Sequence, residues 1–145
     1  MSPVSTAPVF VDTNVLVYAH DASEAVRQPR AAVVLDDLWR DRTGTLSTQV
    51  LQEFYVVVTR KFNPPMPRRR ARELVAAYAE WRTIQLDPLM ILAASELEEK
   101  HSMSFWDALI VEAARRAGAV RLLSEDLQTG RRVAGLVIEN PFASR

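Results

Sequence analysis

A chain of 145 residues, 48% hydrophobic and 25% charged, is long enough to bury one core and has the balance of a globular protein, which excludes disorder and membrane embedding. Eighteen basic residues offset eighteen acidic ones. The absence of cysteine excludes disulfides, zinc–thiolate sites and thiol nucleophiles, and it agrees with a cytoplasmic location.

Residues 1–8 carry no basic region and no apolar stretch of signal-peptide length, so they are expected to form a loose leader, with residues 9–145 as a single domain. No apolar run approaches the ~20 residues that a membrane helix needs. Val9-Phe10-Val11 is β-favouring without polar alternation, as in a strand covered on both faces of a parallel sheet. Asp12 follows at the strand's carboxyl end, where open α/β sheets collect ligands and catalytic groups. It also suits the N-cap of a helix over Asn14 to Tyr18. Residues Glu24 to Arg42 have helical rhythm, and Gly44 is expected to end that helix. Thr45-Leu46-Ser47 reads as a second strand, and Ser47 or Thr48 as the cap of a helix from Gln49 to about Arg60. After the stiff segment Asn63-Pro64-Pro65-Met66-Pro67 a helix is expected from Arg68 to Trp81, with Leu74, Val75, Tyr78 and Trp81 facing inward. Thr83 to Leu86 is a third strand, and Asp87-Pro88 opens a helix from Leu89 to Lys100. A further helix runs from Ser104 to Ala117 and is stopped by Gly118. Arg121 to Ser124 and Gly135 to Ile138 are the fourth and fifth strands. Short strands alternating with helices predict a three-layer α/β/α sandwich with a mainly parallel sheet and right-handed crossovers.

Three more acids stand where the patterns would not choose them. On the last helix, Trp106, Ile110, Ala113, Ala114 and Ala117 form the apolar arc and Glu112, Arg115 and Arg116 mark the expected wet side, yet Asp107 falls on the apolar arc. A buried lone carboxylate costs several kcal/mol unless something compensates. A capping box with Ser104 is the plainer reading of Asp107. Glu53 sits at the margin of a helix whose inner arc is Leu51, Phe54, Val57 and Val58, and Asp126 follows the fourth strand. Four gathered carboxylates repel one another, and at neutral pH divalent cations relieve that repulsion. All-oxygen ligands suit Mg²⁺ or Mn²⁺.

These stretches resemble a known family. Val9 to Leu16, Ser47 to Phe54 with Glu53, Phe105 to Ile110 with Asp107, and Ser124-Glu125-Asp126 look like the motifs of PIN-domain ribonucleases, most closely the VapC toxins of bacterial toxin–antitoxin pairs. The resemblance spans about Val9 to Phe142. It implies a metal-dependent endoribonuclease with Asp12, Glu53, Asp107 and Asp126 as catalytic, metal-holding acids, Asn14 and Ser124 as supports, a homodimer, and a cognate antitoxin that blocks the groove. Glu125 stands beside Asp126 and could share its role. His20 and His101 are isolated, so a water activated by metal is the expected nucleophile.

Setting four acids aside in one site leaves a surplus of positive charge, so zero net charge does not exclude RNA. Arg68, Arg69, Arg70 and Arg72 crowd the first turn of a helix, the end that repels cations, and an RNA phosphate or an acidic partner would offset this. Two other readings are a PIN-like module that binds RNA or protein without cutting, and a receiver-like signalling domain. Against the receiver, Asp87 precedes Pro88 as a cap, and Asn140 stands where a lysine would be needed.

Overall fold

Burial on both faces explains the first strand: Val9, Phe10 and Val11 are all at most 2% exposed in β1 (Val9–Val11), at the centre of the sheet. The structure, a computed structural model, describes residues 6–143. Residues 1–5 of the expected leader therefore lie outside the described residues, as do 144–145. After β1 come α1 (Thr13–Ala19), α2 (Arg27–Asp41), β2 (Gly44–Ser47), α3 (Thr48–Arg60), α4 (Arg68–Tyr78) and β3 (Arg82–Ile84). They are followed by α5 (Pro88–His101), α6 (Phe105–Arg116), β4 (Arg121–Leu123), β5 (Arg132–Val133) and β6 (Leu136–Glu139).

The strand order is β3-β2-β1-β4-β6-β5, parallel except for the β5–β6 pair. From β1 the chain steps outward to β2 and β3, with α1 to α4 in the crossovers. It then returns across the sheet through α5 and α6 to β4. Right-handed crossovers running in opposite directions put the two helix groups on opposite faces, giving the predicted three-layer α/β/α sandwich. The order reverses between β1 and β4, where a crevice opens at the strands' carboxyl ends. No helix among the described residues is long and apolar enough to cross a membrane.

Several sequence expectations need correction. Five strands were expected, and the added one, β5, forms a hairpin with β6 through Ala134 (φ 51°) and Gly135 (φ 87°). Two consecutive positive-φ residues suit a tight hairpin, but Ala-Gly lacks the Asn or Asp that would announce it. The helix expected to Trp81 stops at Tyr78, and Trp81 is buried from the following turn, its N–H donating to the Tyr78 carbonyl at 3.0 Å. Glu112 is not on a wet side: it is 5% exposed, and Arg115 (3.0 Å) and Arg116 (3.5 Å) pair with its carboxylate. Every residue from Ala108 to Ala114 is buried, because α6 is covered both by the sheet and by α5, so a one-sided wheel misplaces it. Trp106, ahead of that stretch, is 65% exposed instead of buried.

Gly44 does not end α2. Arg42, in the left-handed region at φ 57°, caps that helix, and Gly44 opens β2 beside Val9. A Cβ on Gly44 would lie 2.7 Å from the indole of Trp81, which is itself held between Trp39 and Tyr78 at centroid distances of 5.0 and 5.4 Å. Gly44→Ala is therefore expected to destabilise by about 1–3 kcal/mol through overpacking. Urea unfolding checks this as a lower midpoint at constant slope, and Gly44→Ala combined with Trp81→Leu should recover part of the loss.

Candidate active site

Asp12 stands at the carboxyl end of β1 and caps α1, its Oδ1 accepting from the Thr13 N–H at 2.7 Å. Register aligns Val11 with Leu123 of β4, so the residues that follow both strands meet: Ser124 Oγ donates to Asp12 Oδ2 at 2.8 Å. Asp12 is 7% exposed and Ser124 fully buried. Burial, offset by these two hydrogen bonds and reinforced by the charges of Asp126 and Glu53, raises the Asp12 carboxyl to about 6.

Ser47, at the end of β2, caps α3 and thereby aims its first turns at the same crevice. Two turns in, Glu53 accepts from Thr13 Oγ1 at 2.9 Å and from Gln49 Nε2 at 3.2 Å. Thr13 thus ties the cap of α1 to α3, and neither Thr13 nor Gln49 was singled out from sequence. On the other side Asn14 Nδ2 donates to Asp126 Oδ2 at 3.0 Å, while Asn14 Oδ1 accepts from the Glu125 N–H at 3.2 Å. Ser124 Oγ also accepts from the Asp126 N–H at 3.2 Å. Glu125 turns away, accepting from Tyr18 Oη and Arg27 Nε, each at 2.7 Å. Burial first, then this hydrogen bond, pushes the Tyr18 hydroxyl up to about 12, so it stays a donor. Thr13, Asn14, Glu53 and Asp126 line a cleft of about 540 Å³ together with the apolar Val17, Val56 and Val57, the Tyr18 ring and Lys61.

The PIN domain family matches residues 9–136. The chain belongs to the PIN domain family. Solved structures of similar fold include Mycobacterium tuberculosis VapC20, described as a sarcin-ricin loop cleaving toxin, at 24% identity over 79% of this chain and 86% of that one, TM-score 0.61. A toxin-antitoxin complex from Klebsiella pneumoniae is similar at 16% identity over 94% and 98%, TM-score 0.68. VapBC2 from Rickettsia felis, bound to a DNA fragment from their promoter, is similar at 20% identity over 91% and 97%, TM-score 0.60. At these identities the likeness is one of fold. No curated protein matches the chain.

In this PIN domain, three of the four expected acids, Asp12, Glu53 and Asp126, are joined through Thr13, Asn14 and Ser124. Asp107 is not. It lies half-buried in the first turn of α6, where Ser104 Oγ accepts from its N–H at 3.1 Å, and among the described residues no hydrogen bond links its carboxylate to the other acids. Nor do three acidic or histidine side chains among the described residues stand close enough together to hold an ion as placed. The donor chemistry nevertheless fits a hard divalent cation: the set is all oxygen, the Asp12 carboxyl is raised by burial and like charge, and the buried Gln49 Oε1 beside Glu53 has no hydrogen-bond partner.

The basic run is spread outside the acid cleft. Arg69 and Arg70 both approach Glu73 at 3.6 Å, and Arg72 lines a neighbouring apolar groove with Leu51, Tyr55 and Val75. His20 meets Tyr78 Oη at 2.8 Å and joins none of the acids.

Proposed function

We propose that this PIN domain is a divalent-metal-dependent endoribonuclease that hydrolyses RNA phosphodiester bonds and serves as the toxin of a type II toxin–antitoxin pair. The observation that carries the reading is the convergence of Asp12, Glu53 and Asp126 from three separate elements on the crevice between β1 and β4. Asp12, Glu53 and Asp126 would hold Mg²⁺ or Mn²⁺, with Asp107 as the fourth acid once substrate and ion are in place. When bound, such an ion supplies Lewis-acid stabilisation of the phosphodiester and lowers the pKa of a water molecule. The protein's own groups keep the acids oriented: Ser124 and the Thr13 N–H hold Asp12, Thr13 Oγ1 and Gln49 hold Glu53, and Asn14 holds Asp126. No histidine reaches this cluster among the described hydrogen bonds, which agrees with water as the nucleophile.

The apolar lining by Val17, Val56 and Val57 suits a protein segment better than a phosphate backbone, and it supports an antitoxin seated over the acids. The structural neighbours include toxin–antitoxin assemblies, which favours the same kind of partner, and a homodimeric toxin belongs to the same proposal. A cytoplasmic location follows from that role. The basic run Arg68, Arg69, Arg70 and Arg72 belongs to the antitoxin or to outlying RNA, since among the described residues Lys61 is the cation that lines the acid cleft.

The decisive experiment incubates the purified protein with total RNA and Mg²⁺ or Mn²⁺, with and without a chelator. Cleavage lost on chelation is expected. RNA binding without cleavage under either metal would favour a non-cutting PIN module. Lys61→Gln is expected to weaken RNA binding uniformly across sequences and to reduce the salt slope by about one, as for one lost phosphate contact. Unchanged binding at several salt concentrations would remove Lys61 from the RNA path.

A further inference from the structure

The Glu125 side chain does not line the acid cleft; it is gripped beside it by Arg27 and by Tyr18, whose ring lines the cleft. Arg27 Nε donates to Glu125 Oε2 and Tyr18 Oη to Glu125 Oε1, both at 2.7 Å, so one carboxylate is gripped through both oxygens by residues of α2 and α1. Arg27 also stands over the Tyr18 ring at 5.3 Å and reaches Glu24 at 3.4 Å, while Tyr18 meets Phe142 edge-on at 5.1 Å. The two gripping residues are therefore braced against each other and against the chain beyond β6. Glu125 and Asp126 are neighbours in one turn, and among the described residues Asn14 and Ser124 hold that turn from the cleft side.

We propose that Arg27 and Tyr18 are positioning residues for the acid site: by clamping Glu125 beside the cleft, they fix the turn so that Asp126 faces Asn14 and Asp12. Without the clamp, Asn14 and Ser124 alone hold the turn, and the Glu125 side chain is released to swing toward the crevice. Glu125 would then bring an extra negative charge toward Asp12, and Asp126 would lose its orientation. The clamp thus selects which of two neighbouring acids serves. Only its activity readout rests on the nuclease reading above.

The test compares the full chain with Arg27→Gln, Arg27→Lys and Tyr18→Phe variants by RNA cleavage in Mg²⁺ and by amide hydrogen exchange. Arg27→Gln is expected to lower kcat roughly tenfold with KM little changed. It should also speed exchange at the Glu125 and Asp126 amides, which Asn14 and Ser124 hold, while β1 and β4 stay protected. Arg27→Lys keeps the charge without the planar fork and should recover part of both effects. Tyr18→Phe keeps the ring and removes one hydrogen bond, so its loss should be smaller. Glu125→Gln added to Arg27→Gln should cause little further loss, because the two act as one unit. Unchanged kcat and unchanged local exchange in Arg27→Gln would overturn the clamp. A fall in kcat accompanied by general loss of protection would overturn it too, by marking Arg27 as merely structural. If the parent chain cleaves no RNA in any divalent metal, the nuclease reading fails, and exchange at Glu125 and Asp126 alone decides the clamp.

Discussion

Asp12→Asn should reduce RNA cleavage by about a hundredfold or more while leaving the protein folded, an effect at least as large as those seen when residues supporting a metal site are removed. Asparagine keeps the shape of the side chain and remains a good N-cap, so α1 retains its start. What is lost is one negative charge at the point where β1 and β4 meet, within the field of Glu53 and Asp126. The comparison that gives the result meaning is Asp107→Asn. If Asp107 completes the acid set when substrate and ion arrive, its variant also loses cleavage. Full activity in Asp107→Asn would reduce that residue to a first-turn partner of the cap Ser104 and leave three acids to do the work. Melting curves measured beside the cleavage assays separate loss of chemistry from loss of fold.

The elements legible in the sequence are those whose local pattern and tertiary setting agree. Val9 to Val11 reads as a doubly covered strand because no residue in it needs water, and Ser47, Asp87 and Ser104 cap helices as their positions suggest. The contact between Asp12 and Ser124 was out of reach, since it depends on the β1–β4 register across more than a hundred residues of chain. The different partners of Glu125 and Asp126 were not legible in the sequence either, because two adjacent acids after a strand look alike until Arg27 and Tyr18 take one of them and Asn14 the other. Glu112 misled for a related reason: a charged residue on a helix suggests solvent, but two arginines on the same helix compensate its burial with their guanidinium groups.

The metal-free protein should also be destabilised by its own acid cluster at neutral pH. The Asp12 carboxyl has an ordinary value of 3.8 and is raised to about 6 in the folded state, chiefly by burial, with Asp126 and Glu53 adding repulsion. A group whose folded pKa is raised contributes stability that is fully present below 3.8 and is lost as pH rises through about 6. The difference corresponds to about 3 kcal/mol between acid and neutral pH. In chelator, the melting temperature of Asp12→Asn relative to wild type should therefore climb between pH 4 and pH 7, since asparagine does not titrate. Measuring the difference between the two proteins at each pH cancels the titration of groups they share. Adding Mg²⁺ or Mn²⁺ at neutral pH should then reverse the order. An ion that binds only the native site contributes about 2.7 kcal/mol at a hundredfold excess over its dissociation constant, and wild type alone keeps the full set of acids. A melting difference that stays flat across pH, together with equal shifts of both proteins across a full metal series, would show that Asp12 is neither a strained carboxylate nor a ligand.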